Sequence, residues 1–338
     1  MKRQAITLAV MGLFTGLVHA QSSVTLYGVV DVAVERVKGA TSVVRLSSGQ
    51  QQGSRWGLRG VEDLGGGLRA NFVLESGFNA DVGTSGQGGR LFGRQAYLGL
   101  GGAWGTVRLG RQYTPMDDIA GIVGTKTYDV LSVVPIIGNG DYNRSNNAIT
   151  YLSPSLANTV FQLQYSLGDE RASTNTSADF EKQVSAHALY ARGPITAGLG
   201  LIQAADVDGT LAGKQGRDAM LLAGAYDFGS VKVSAYYDSE DRAAKKLKVY
   251  GAAAAFKFGE TTLSVGAAQA KDVNGSAAAA SDDAKIYTLQ ASHNLSKRTA
   301  IYGHLTAVSN GAASALGFNS PVAGSSSNGV QFGLRHRF

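Results

Sequence analysis

Arginines at regular spacing are the side chains in this sequence best suited to acting on an ion. Arg55 and Arg59 alternate with Trp56 and Leu58, so a β-strand would place both guanidinium groups on one polar face. Guanidinium groups stay charged at any working pH and bind oxyanions. The simplest interpretation is a pair of solvated arginines. If the same face lined a channel, the pair would attract anions.

Carboxylates that could oppose these cations occur in two places. Glu75 lies on the polar face of a neighbouring predicted strand and could pair with the arginines. The segment 113–143 carries four aspartates: Asp117, Asp118, Asp129 and Asp141. Position favours Asp117 and Asp118 as the pair that would set a field across a narrow opening. Ordinary loop aspartates are the alternative interpretation.

Alternating apolar and polar residues recur along the chain and predict sixteen β-strands. Their approximate spans are 24–37, 54–62, 68–78, 91–100, 106–112, 144–153, 159–167, 183–191, 195–203, 218–228, 231–238, 247–258, 262–270, 285–293, 299–308 and 329–338. Most have about 9–11 residues, the length that a tilted strand needs to cross a bilayer. Arg94 and Arg144 lie near the starts of two of them, and Arg144 alternates in step with Asn146, Ala148 and Thr150.

The connections between these strands sort by length. The short turns are 63–67, 101–105, 154–158, 192–194, 229–230, 259–261 and 294–298; the long loops are 38–53, 79–90, 113–143, 168–182, 204–217, 239–246, 271–284 and 309–328. Short and long alternate, as a transmembrane β-barrel with periplasmic turns and external loops requires. A β-sandwich would not sort its loops in this way, and a propeller would show a repeat of about 40 residues. The predicted fold is all-β: a sixteen-stranded antiparallel transmembrane β-barrel.

The longest connection, 113–143, is unusually apolar for an external loop. Its apolar residues are Ile119, Ile122, Val123, Val130, Leu131, Val133, Val134, Ile136 and Ile137. A structureless segment of this length signals either a function or a mistaken assignment. If the segment folded inside a barrel, these side chains could pack against the inner wall.

The N-terminus is typical of a secretory signal peptide. Lys2 and Arg3 precede an apolar stretch, and small residues permit cleavage after Ala20. We therefore predict a cleaved leader, 1–20, followed by one barrel domain, 21–338. A membrane-anchoring helix is the alternative, but the apolar run is too short to span a bilayer comfortably.

Composition excludes several classes of function. Without cysteine, the chain has neither disulfides nor a thiol nucleophile. Its formal charge of +6, which includes the two basic residues of the leader, is too small to indicate a nucleic-acid partner. No nucleophile-elbow or zinc-helix motif surrounds the histidines after the leader, which are His187, His293, His304 and His336. We expect no catalytic residue, no cofactor and no metal site.

The chain ends on a predicted strand whose last residue is aromatic. Val330, Phe332 and Leu334 alternate with polar or small residues, and the pattern continues to Phe338. Chain ends are disordered unless they are tied down, so we expect this strand to be paired. An even number of strands brings both ends to the periplasmic side, where 329–338 can pair with 24–37 and remove the sheet edge.

Seven segments in order carry a family resemblance: VTLYGVVD (24–31), SRWGLRGVEDLGGGLRANFVLESGF (54–78), RQAYLGL (94–100), WGTVRLGRQYTP (104–115), NRSNNAITYLSP (143–154), HNLSKRTAIYGH (293–304) and the terminal FGLRHRF. Together they resemble the general porins of Gram-negative outer membranes, especially the β-proteobacterial type. The resemblance implies a trimeric diffusion channel narrowed by an inward-folded third loop. It implies that Arg55, Arg94 and Arg144 belong to a basic constriction, and that the assembly machinery recognises the strand ending at Phe338.

These observations predict an outer-membrane channel for the passive diffusion of small hydrophilic solutes and ions. Arginines in a narrow, low-dielectric pore should favour anions. The expected partners are further copies of the chain in a homotrimer, outer-membrane lipid and lipopolysaccharide, the assembly machinery, and the solutes and anions themselves. Two other classes remain open: an outer-membrane barrel enzyme that hydrolyses lipids or peptides, and an adhesion or binding barrel that uses its long loops.

Overall fold

The computed structural model describes residues 23–123, 143–168, 182–205, 216–242, 245–273 and 282–338. The predicted leader lies outside these residues and stays a prediction. The described elements are β1 (Ser23–Lys38), β2 (Ser42–Ser48), β3 (Arg55–Gly65), β4 (Leu68–Asn79), β5 (Thr84–Ser85), a 3-10 turn (Gln87–Gly89), β6 (Gln95–Gly102), β7 (Gly105–Tyr113), α1 (Pro115–Ala120), β8 (Arg144–Leu152), β9 (Thr159–Leu167), β10 (Lys182–Arg192), β11 (Ile195–Ala204), β12 (Arg217–Asp227), β13 (Val231–Arg242), β14 (Lys245–Phe258), β15 (Thr261–Lys271), β16 (Ala284–Asn294), β17 (Thr299–Asn310) and β18 (Ser327–Arg337).

The strands close into a sixteen-stranded antiparallel barrel, as the sequence predicts. The last strand, β18, pairs with β1 from Val29 opposite Arg337 to Lys38 opposite Asn328. Phe338 extends this pairing. Its amide donates to the Gly28 carbonyl (3.1 Å), and its carbonyl accepts from the Gly28 amide (3.0 Å). The predicted pairing of the chain end is therefore confirmed.

Two strands share one position in the barrel. The loop-side half of β1 pairs with β2, with Val32 opposite Ser48, and its other half pairs with β3, with Val29 opposite Arg55. The connection 49–54 turns toward Asp31, whose carboxylate accepts a hydrogen bond from the Gln52 amide (2.9 Å). Since β5 pairs with the end of β4 alone, the eighteen strands make sixteen barrel positions.

Two of the predicted long loops are wrong. The connection 38–53 contains β2, and 239–246 is mostly strand because β13 reaches Arg242 and β14 begins at Lys245. The charged and small polar residues of these stretches suggest a loop in the sequence. In the structure they form strand pairs, and the charges meet across them. Arg45 binds Glu35 at 2.6 Å, for example. The alternation of short and long connections fails at these two hairpins.

The two faces of the barrel wall differ in chemistry. Large apolar side chains such as Leu98, Leu163 and Leu222 are exposed on the outward face. Many inward residues are polar or small, such as the buried Gln162 and Gln164 of β9, whereas Ile202 and Leu221 belong to an apolar cluster that also contains residues of α1. This apolar-out, polar-in alternation is the pattern of a transmembrane barrel. Among the described helices, none has the length and apolar character needed to cross a bilayer.

The described first part of the third long loop, 114–123, packs against the inner wall of the barrel. Thr114 caps α1 by accepting a hydrogen bond from the Asp117 amide (3.4 Å), and Pro115 occupies the first helical turn. Met116 and Ile119 are completely buried against the inner wall. The loop is described as far as Val123. Two of the candidate aspartates, Asp129 and Asp141, lie outside the described residues.

Candidate pore constriction

Glu75 is the centre of a buried polar network on one wall of the lumen. It lies on the inward face of β4 and is 4% exposed. Oε1 accepts a hydrogen bond from Arg94 Nε at 2.8 Å, and Oε2 accepts one from the Tyr27 hydroxyl at 3.0 Å. Arg94 is buried too. A buried ion pair persists when its oxygens are hydrogen-bonded in this way. The structure thus brings two of the predicted site residues together.

Tyr113 extends this network to Arg144. Its hydroxyl oxygen accepts hydrogen bonds from Arg94 Nη2 (2.5 Å) and Arg144 Nη2 (3.0 Å). The guanidinium of Arg144 also lies 4.5 Å from the centre of the Tyr113 ring. A phenolic oxygen has two lone pairs, and the ring face attracts a cation. One tyrosine therefore holds two like charges in place.

Arg55 and Arg59 lie on the inward face of β3, as their spacing predicts. The guanidinium of Arg59 lies 5.3 Å from the centre of the Tyr27 ring. Arg55 is 9% exposed and interacts electrostatically with the same tyrosine. On β7, Arg108 repeats the arrangement at 5.1 Å from the Tyr97 ring. These cation–π contacts fix the positive charges against the wall.

Arg144 reaches this wall by a route that the sequence does not predict. Its expected alternation with Thr150 is broken because the pairing of β7 with β8 shifts register, and Asn147 adopts a φ of 47°. Such a bulge changes the alternation, so the residues before it are out of step with those after it. As a result Ser145 is buried and donates a hydrogen bond to Gln164 (2.8 Å). Arg144, the first residue of β8, joins the network through the Tyr113 hydroxyl.

Sequence reasoning missed three participants: Tyr27, Arg108 and Tyr113. Arg108 could have been found, because it alternates with Val107 and Leu109 in the same way that Arg55 alternates with Trp56. No signal selects the two tyrosines. An amphipathic tyrosine suits a lumen wall as well as the aromatic girdle at a membrane surface.

The opposite wall is formed by α1, which packs on β10, β11 and β12. Two glycines of β11 make room for it. A Cβ at Gly198 would lie 2.5 Å from Ile119 Cδ1, and one at Gly200 would lie 3.1 Å from Met116 Sδ. Burial of the two helix side chains stabilises this position by about 1.5–3 kcal/mol each. His187 on β10 adds a polar contact from Nδ1 to the Pro115 carbonyl (3.1 Å).

The two predicted aspartates of α1 have different surroundings. Asp117 is 8% exposed, whereas the side chain of Asp118 is 45% exposed and its Oδ2 lies 3.7 Å from His187 Nδ1. The surrounding protein desolvates the Asp118 carboxylate and raises its pKa to about 6, while the positive charge of Arg108 opposes this shift. Asp118 is therefore the more exposed member of the pair, and it interacts electrostatically with Arg108.

The chemistry available at this site is electrostatic. Arg108 on β7 interacts electrostatically with the carboxylate of Asp118 on α1. Within the described ranges, no group of three or more His, Cys, Asp or Glu residues could hold a metal ion.

The sequence as a whole decides the family. Residues 6–313 match the family described as Gram-negative porin. The chain belongs to this family. The porin is 34% identical to outer membrane porin protein 32 of Delftia acidovorans over 369 aligned residues that cover both chains completely. It is 33% identical to an outer membrane porin protein of Bordetella pertussis over 265 aligned residues, which cover 70% of this chain and 69% of that relative.

The architecture of the porin agrees with this assignment. The anion-selective porin from Comamonas acidovorans has a similar structure, with a TM-score of 0.81 and 32% sequence identity, over 94% of this chain and 100% of that one. The porin is therefore an outer-membrane β-barrel with short periplasmic turns and external loops. It is a passive diffusion channel and not an enzyme, so the hydrolase alternative is discarded.

Proposed function

We propose that this porin passes small hydrophilic solutes and favours anions over cations. The charge of its constriction carries the proposal. Arg55, Arg59 and Arg108 occupy one wall together with the Arg94–Tyr113–Arg144 network. Glu75 is already paired with Arg94, and Asp118 is an exposed carboxylate on the facing helix α1.

The physical reason for the preference is the excess of fixed positive charge on the lumen wall. Low-dielectric walls concentrate field lines, so an excess of fixed positive charge raises the local concentration of anions. Arginine keeps its charge throughout the working pH range. The Comamonas acidovorans porin that resembles this chain is named anion-selective, which supports the same preference here.

Reversal potentials in planar bilayers under a KCl gradient test this proposal. We expect the sign of an anion-preferring pore. Removing charge with Arg55→Gln or Arg144→Gln should move the potential toward zero. Arg36→Gln is the matched control because Arg36 is exposed on the outward face of β1. If both lumen variants kept the wild-type potential, these arginines would not form the selective constriction.

We also propose the partners that the family resemblance implies. The porin assembles as a homotrimer among outer-membrane lipid and lipopolysaccharide, and the assembly machinery recognises the strand that ends at Phe338. The pairing of Phe338 with Gly28 supports a role for this residue in closing the barrel. Native mass spectrometry in mild detergent should report three chains, and a mass of one chain under all mild conditions would contradict the trimer.

A further inference from the structure

A basic pocket of about 460 Å³ lies at the periplasmic end of the barrel. Lys297 and Arg298 reach it from the turn between β16 and β17, and Arg335 and Arg337 reach it from β18. Glu260 is the one carboxylate among the residues that line it. We call this group the periplasmic pocket. Four cations against one carboxylate make it a site for a negatively charged group.

Arg335 supplies donors that no described residue uses. It is 5% exposed, and its Nε and Nη1 atoms are buried without a hydrogen-bond partner in the described part of the chain. Asp31 interacts with it electrostatically. However, the Asp31 oxygens accept hydrogen bonds from the Tyr302 hydroxyl (2.5 Å) and the Gln52 amide (2.9 Å). Buried charged donors are costly until an acceptor meets them.

Arg337 connects the periplasmic pocket to the arginine wall of the constriction. Val29 pairs with Arg337 on one side and with Arg55 on the other, so all three share the inward face of the barrel. Arg337 also donates to Gln52 Oε1 from Nη2 (3.0 Å) and Nε (3.3 Å). An anion that leaves the constriction on the periplasmic side therefore meets further cations.

We propose that the periplasmic pocket binds a phosphate-type oxyanion, either inorganic phosphate or a phosphomonoester. This inference rests on the proposed anion preference and adds a second site below the constriction. Guanidinium groups bind phosphate oxygens through paired hydrogen bonds. A doubly charged tetrahedral anion accepts from Arg335 and at the same time from Arg298 or Lys297. The volume exceeds that of a single phosphate group, so an organic substituent fits.

Block of the chloride current tests the pocket in the intact porin. Sodium phosphate is added to one side of a planar bilayer and then to the other, at constant ionic strength because exposed charges are screened by salt. Phosphate should block from one side preferentially. Arg335→Gln should weaken the block roughly tenfold or more, since it removes charged donors. Arg298 lies in an exposed turn, so Arg298→Gln should leave the fold intact. It should weaken the block by roughly two- to fivefold.

The control and the competing anions decide between outcomes. Phosphate should block the Arg36→Gln control at the same concentration as it blocks the wild type. Acetate should block far less than phosphate, and equal block by acetate would overturn the phosphate assignment. Stronger block by glycerol 3-phosphate than by phosphate identifies an organic ester as the better ligand, and the reverse identifies the free ion. Equal half-blocking concentrations in the wild type and both pocket variants would overturn the site. The KCl reversal potential of the same membranes reports separately on the proposed anion preference.

Discussion

Arg94 donates a hydrogen bond from Nε to Glu75 Oε1 across 2.8 Å, and both side chains are almost completely buried. The pair ties the segment before β6 to β4, and Tyr113 adds Arg144 from β8 to the same wall. Glu75 offsets one positive charge of this wall, and the wall keeps an excess of arginines. The positive character of this wall comes from the further arginines Arg59, Arg108 and Arg144.

Replacing Glu75 by glutamine should increase anion preference. The substitution removes a negative charge and leaves Arg94 and Tyr27 facing a neutral amide. We expect a larger reversal potential on the anion side, together with a loss of about 1–3 kcal/mol in stability. Thermal unfolding in detergent measures the second effect. Glu62→Gln, at an exposed position of β3, is the control. A reduced anion preference in the Glu75 variant would contradict the account.

Selectivity should depend on pH through Asp118. Its pKa is raised to about 6, so the carboxylate is mostly ionised at pH 8 and mostly protonated at pH 5. Acidification therefore removes a negative charge from the lumen, and anion preference should rise. Asp118→Asn should show the low-pH preference at pH 8 already. His187→Gln tests whether the neighbouring imidazole causes the pH response instead of Asp118. A pH response that disappeared in this variant but persisted in Asp118→Asn would assign the effect to the histidine.

The position of α1 against the barrel wall should change when a methyl group is added at Gly198. A Cβ at Gly198 would lie 2.5 Å from Ile119 Cδ1, so Gly198→Ala should push the helix into the lumen. We expect lower single-channel conductance. Gly224→Ala is the matched control, because a Cβ at Gly224 has its nearest contact at 4.0 Å, with the Thr196 carbonyl. Equal conductance of the two variants would show that α1 does not narrow the pore.

Closure of the barrel should depend on the contact of Phe338 with Gly28. A Cβ at Gly28 would lie 2.2 Å from Phe338 Cζ, so Gly28→Ala should displace the terminal ring. Deletion of Phe338 should reduce the amount of assembled porin in outer membranes more than it changes the conductance of the pores that form. Phe332→Ala removes an exposed aromatic from the same strand and is the control. Normal amounts of heat-resistant oligomer after the deletion would argue against this role.

The sequence predicts the barrel well because strand alternation is a local property. Each predicted span overlaps one described strand, and the span 54–62 overlaps β3, which shares its barrel position with β2. The misassigned stretches 38–53 and 239–246 show the limit. Charged residues favour loops in general, but here Arg45 and Glu35 meet across paired strands. Whether such charges form an ion pair depends on which strands become neighbours in the folded protein.

The constriction is less accessible from the sequence. Alternation places Arg55 and Arg59 correctly because β3 is regular over those residues. It fails for Arg144 because a bulge near Asn147 resets the period. The pairing of Arg94 with Glu75 bridges 19 residues and depends on a side chain that precedes its strand. Asp118 is exposed and Asp117 is buried because of how the six-residue helix α1 is rotated where it packs on β11.

The most direct test of the charged constriction is the zero-current potential under a tenfold KCl gradient. A perfectly selective pore would give about 59 mV. The account predicts a wild-type potential on the anion side and a large shift toward zero in the triple variant Arg55→Gln, Arg59→Gln, Arg108→Gln, with Arg36→Gln unchanged. A wild-type potential at zero or on the cation side, or a triple variant identical to the wild type, would contradict it.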